Sequence, residues 1–62
     1  MLTIHISNEM LLFKNIDEEM VKILTIYGVQ KGLRDYYVIK GAPEKLYKVL
    51  VALSFDYDIE IV

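Results

Sequence analysis

The chain contains no cysteine and no tryptophan, and it has one histidine, one proline and three glycines in 62 residues. Without cysteine there is no disulfide and no thiolate to ligate zinc, so neither usual staple of a very small domain is at hand. The glycines Gly28, Gly32 and Gly41 stand apart, without the lysine-serine of a phosphate loop or the spacing of a dinucleotide fingerprint. Ser7 and Ser54 lie outside any nucleophile-elbow context. No apolar run approaches the about 18 residues a membrane-spanning helix needs. The opening Met1–Ile6 lacks the basic stretch of a signal peptide. The expectation is a cytoplasmic protein with no membrane segment, no cofactor, no metal and no catalytic residues.

What the chain does have is apolar surface. It is 55 % apolar before glycine is counted, whereas a soluble domain with glycine included is usually about 45–50 %. Sixty-two residues make one domain, 1–62, and so short a chain buries only about 60 % of the surface its unfolded form exposes. The surplus must then lie outside, and another protein surface is what would hide it, either a second copy in a homodimer or a larger partner. The charge is −2 in total but unevenly spread. Residues 1–29 set Lys14 and Lys22 against Glu9, Asp17, Glu18 and Glu19, and residues 30–48 set Lys31, Arg34, Lys40, Lys45 and Lys48 against Asp35 and Glu44. Residues 49–62 carry only Asp56, Asp58 and Glu60.

Periodicity gives the architecture. Leu2, Ile4 and Ile6 alternate with Thr3, His5 and Ser7, the pattern of a half-buried strand. Ser7-Asn8-Glu9 predicts a turn with Asn8 suited to positive φ, and the apolar run Met10–Phe13 fits a second strand pairing back. Asn15, with Glu18 three residues on, resembles a capping box, and Ile16, Met20, Ile23, Leu24 and Tyr27 form a helical stripe. Gly28 suits the left-handed position after a helix, with Val29 closing on Leu24. A competing reading makes Ile23–Tyr27 a strand; the two terminal signals favour the helix. Gln30–Asp35 reads as a polar loop, and Tyr36–Lys40 as a strand apolar on both faces, expected near the centre of the sheet. Pro43 suits a first helical position, and Leu46, Val49, Leu50 and Leu53 form one buried stripe. Ser54–Asp56 is expected to turn the chain into a last strand in which Tyr57, Ile59 and Ile61 alternate with Asp58 and Glu60. The expected fold is a two-layer α+β sandwich of order ββαβαβ, with two helices on one face of a three- or four-stranded sheet.

Three surfaces are candidates for function. Tyr47 and Val51 widen the stripe of the second helix beyond what one sheet face needs, and with Tyr36 they form the expected protein-binding surface. Lys31, Arg34, Lys40, Lys45 and Lys48 around Tyr36-Tyr37 give an alternative, a nucleic-acid accessory, although the signature of an RNA-recognition sheet is absent. Asp56, Asp58 and Glu60 are expected on one side of the last strand, to meet a basic partner or simply to solvate and protect an edge; the glycine and length of a calcium loop are missing. His5 reads as a surface histidine, since a general base needs an orienting group and a pocket. The combined expectation is a non-enzymatic interaction module, either self-associating or bound to a larger protein. Small free-standing prokaryotic or phage-encoded regulators and inhibitors are built on this scale.

Overall fold

The computed structural model describes residues 2–62, with Met1 outside the described residues, and its first element is the alternating strand. β1 (Leu2–Ser7) pairs antiparallel with β2 (Met10–Lys14), with Ile4 opposite Phe13 and Ser7 opposite Met10. Asn8-Glu9 is therefore a two-residue turn, but the left-handed residue is Glu9 (φ 53) and not Asn8. The Glu9 carbonyl accepts a hydrogen bond from the Gly41 amide at 3.0 Å, which anchors this turn to the neighbouring strand.

Helix α1 (Glu18–Thr25) starts two residues later than the capping-box spacing predicts. Asn15 adopts φ 60, which is incompatible with the extended backbone an N-cap needs. Asp17 takes that role instead: its backbone is extended and its carboxylate accepts from the Met20 amide at 2.8 Å. The far end matches the sequence expectation. Gly28 has φ 83, its amide donates to the Thr25 carbonyl at 3.0 Å, and the Val29 amide donates to the Leu24 carbonyl at 3.3 Å. That bond pair is the Schellman ending, and it removes the strand alternative for Ile23–Tyr27.

The polar stretch after α1 holds a strand that was not expected. β3 (Gln30–Lys31) pairs antiparallel with β4 (Tyr36–Lys40), and the Gly32 amide donates to the Tyr36 carbonyl at 2.8 Å. Two residues are too few to show alternation, and both are polar because β3 is a sheet edge. β4 also pairs antiparallel with β2, so it lies inside the sheet, though second from the edge and not at the centre. Pro43 opens α2 (Pro43–Asp56) as expected. The helix then runs through Ser54–Asp56, where a turn was expected. The Ser54 hydroxyl satisfies itself by donating to the Val51 carbonyl at 2.7 Å, so serine does not break the helix. Consequently β5 is shorter than expected (Ile59–Ile61), and it pairs parallel with β1.

The order is thus ββαββαβ rather than ββαβαβ, and the mixed sheet has five strands, β3-β4-β2-β1-β5. The α+β class stands. From the pairings, β2 and β3 run parallel, as do β4 and β5. Each helix is therefore a crossover, α1 stepping over β4 and α2 stepping over β2 and β1. Both helices lie on one face: Leu24, Leu46, Val49 and Leu53 share a cluster with Leu2, Ile4, Leu11, Phe13 and Ile39. The largest fully buried side chains are Phe13, Ile4, Leu11, Leu24, Ile39 and Leu53, each worth about 1.5–3 kcal/mol relative to exposure. Leu50, expected in the buried stripe, is half-buried at its margin.

Candidate interaction surfaces

The core stripe of α2 leaves the opposite side of that helix to solvent. Residues four apart drift by only about 40° around a helix and rise about 6 Å, so Tyr47, Val51 and Phe55 form one row. They are 69 %, 36 % and 82 % exposed. Tyr47 and Val51 were expected from sequence, but Phe55 was missed because the helix was ended too early. The signal for it was the same four-residue step continued once more. Ile6 and Ile61 add exposed apolar surface on the helix-bearing side of the sheet, since both are in phase with Ile4.

Tyr36 does not join that row. It is opposite Lys14 in the register while its neighbour Tyr37 is opposite Phe13 and packs on the core. Tyr36 therefore lies on the helix-free face, and the expected grouping of Tyr36 with Tyr47 and Val51 is divided between two sides of the molecule. The open face is itself a groove. Met10, Leu12 and Val38 form its floor, and the hairpin loop Gly32–Arg34 forms one wall. Val38 is only 8 % exposed because Gly32 lies on it: a methyl group at Gly32 would meet Val38 Cγ2 at 3.0 Å. The groove measures about 640 Å³, a size at which ligand clefts are found (about 300–1,000 Å³).

No protein-family model, no curated protein and no solved structure matches the chain. The surfaces therefore rest on their own geometry.

The five expected cations do not make one patch. Arg34 and Lys40 rim the sheet groove. Lys31 borders it, but its ammonium is 4.6 Å from the centroid of Tyr37, on the helix-bearing side. Lys45 and Lys48 line a separate cleft between the C-terminal end of α1 and the first turns of α2. Lys45 has a structural task there, donating to the Lys40 carbonyl at 3.1 Å. The cation missed from sequence is Lys14, whose ammonium is 5.8 Å from the Tyr36 centroid on the open face. Its signal was the phase shared with Met10 and Leu12.

The acidic group is also redistributed. Asp56 ends α2, Asp58 precedes β5 and offers its carbonyl to the Leu2 amide, and only Glu60 belongs to the strand. These carboxylates do not share one strand face as expected. His5 is exposed on the open face opposite Leu12, as a surface histidine. Among the described residues no cluster of metal-ligating side chains forms, and no helix is long and apolar enough to cross a membrane.

Proposed function

We propose that the chain is a non-enzymatic protein-interaction module that pairs with a second copy of itself through the outer face of α2. The row Tyr47, Val51 and Phe55 carries this reading. Such a row is self-complementary about a two-fold axis: with the helices antiparallel and Val51 near the axis, Tyr47 of each copy meets Phe55 of the other. Closed two-fold pairing of this kind is the commonest way identical chains associate.

Charge favours the same arrangement. Helix α2 has no basic residue in its last turn, and Asp56 sits there against the negative end of the helix dipole. With Val51 near the axis, Lys48 of the second copy stands opposite Ser54 and brings a cation to that last turn, while Asp56, about 140° around the helix from Val51, lies outside the paired row. The expected nucleic-acid surface has less support, because its five cations are spread over three places. The dimer is taken to work in the cytoplasm, which cell fractionation tests.

Light scattering coupled to size-exclusion chromatography tests the pairing directly. The expected result is twice the chain mass at micromolar to millimolar concentration. A strict monomer up to roughly 1 mM, a binding energy weaker than about 4 kcal/mol, overturns it in favour of a larger protein on the same face.

A further inference from the structure

We infer that the helix-free face of the sheet is a second docking site, one that takes an acidic amphipathic segment of another protein. This inference is independent of the α2 pairing, which uses the opposite side of the molecule. Three observations carry it. The floor is aliphatic: Met10 and Leu12 are half-buried, and Val38 lies beneath the hairpin loop. The wall projects Leu33 into solvent at 86 % exposure from a loop whose next residue, Arg34, is held at φ 57. Finally, the charges that face the groove are Arg34 and Lys40, with no carboxylate in its lining; Lys31 borders it but turns its ammonium to Tyr37 on the other side.

An aliphatic floor beneath a cationic rim is complementary to a segment that presents bulky apolar side chains with carboxylates beside them. Methionine on the floor suits such a partner, since its flexible thioether adapts to different side chains. Single-stranded nucleic acid fits less well. It binds by stacking successive bases on aromatic rings, whereas here one aromatic, Tyr36, borders the groove and Lys14 already occupies its vicinity. Tyr37, the other tyrosine of the pair, packs on the core. The acidic C-terminal segment of a second copy is also a poor occupant. It is held in its own sheet, with the Val62 amide donating to the Ile4 carbonyl at 3.0 Å and β5 paired along β1.

The test uses the whole chain and two displayed libraries of peptides about 16 residues long. One library randomises apolar positions among Asp and Glu, and the other randomises the same positions among Lys and Arg. Enrichment from the acidic library alone is expected. Binders should shift the amide resonances of Met10, Leu12, Leu33 and Val38 while leaving Tyr47 and Phe55 unmoved. Arg34→Glu combined with Lys40→Glu should weaken them about tenfold or more, with an unchanged circular dichroism melt. Leu33→Ser, at an exposed position, should weaken them without reversing charge. The inference is overturned by enrichment from neither library or equally from both, or by shifts confined to α2. Tighter binding of a labelled oligothymidylate would make the groove a nucleic-acid site instead. Concentration-dependent shifts in the groove without peptide would assign it to self-association.

Discussion

Tyr47→Ala combined with Phe55→Ser separates association from folding. An aromatic side chain buries about 150–250 Å² in an interface, and these two are 69 % and 82 % exposed in one chain. Covering the exposed part removes roughly 100–200 Å² per residue from water, or about 2.5–5 kcal/mol at about 25 cal/mol per Å². Ordering each side chain costs about 0.5–1.5 kcal/mol of that. In a two-fold dimer each substitution acts twice. A net loss of at least about 3 kcal/mol is therefore expected, or a dissociation constant raised about 100-fold or more. The fold should hardly notice, because exposed substitutions usually change stability by less than about 0.5 kcal/mol. Light scattering reads the association and urea unfolding of the dilute monomer reads the stability. A double variant that dimerises as tightly as the parent refutes the assignment. One that unfolds refutes the placement of these side chains on the outside.

Three further outcomes follow from the same geometry. Asp56→Asn should stabilise the dilute monomer by about 0.3–1 kcal/mol, by removing an anion from the negative end of α2, and leave dimerisation unchanged, because Asp56 lies about 140° around the helix from Val51; a lower urea midpoint or a weakened dimer by light scattering would disprove this. Gly28→Ala should cost about 1 kcal/mol or more, since φ 83 disfavours a side chain, and Gly28→Asn should cost less, both read from urea midpoints. Phe13→Ala removes a fully buried ring and should cost about 3–5 kcal/mol. A 62-residue chain at 0.05–0.15 kcal/mol per residue holds only about 3–9 kcal/mol, so much of this variant should be unfolded by circular dichroism at room temperature.

Much of the fold was legible in the sequence because the strongest local signals were backed by tertiary ones. Leu2, Ile4 and Ile6 alternated, Pro43 opened α2, and Gly28 closed α1, each as the structure has it. The failures occur where local chemistry is ambiguous. Asn15 and Asp17 are both good caps, and only the left-handed backbone at Asn15 decides between them. Ser54 ends helices as readily as it sits in them, and its bond to the Val51 carbonyl hides it inside α2. That single misreading shortened the helix, concealed Phe55 and placed Asp56 on a strand. β3 gave no signal because two polar residues carry no period. Surface grouping was legible on α2, where sequence spacing fixes the face. It was not legible for the cations, because Arg34 and Lys40 line the groove of the open face whereas Lys45 and Lys48 line the cleft between α1 and α2.

The two helices make the case for α2 by contrast within one molecule. Both lie on the same face of one sheet, and both have a solvent side. Along its helical turns, α1 fills its solvent side mainly with Glu18, Glu19 and Lys22, strong helix formers that cost nothing to hydrate, and its one large exposed apolar residue is Ile26 at the C-cap. Helix α2 puts Tyr47, Val51 and Phe55 on its solvent side. All three are poorer helix formers than alanine, by a few tenths of a kcal/mol each, and the monomer gains no burial from their exposed area. The substitution pattern of α1 was equally open to α2. In a chain with so thin a margin of stability, three residues that burden the monomer are accounted for if the surface they form is covered, and the proposed antiparallel second copy would cover all three at once.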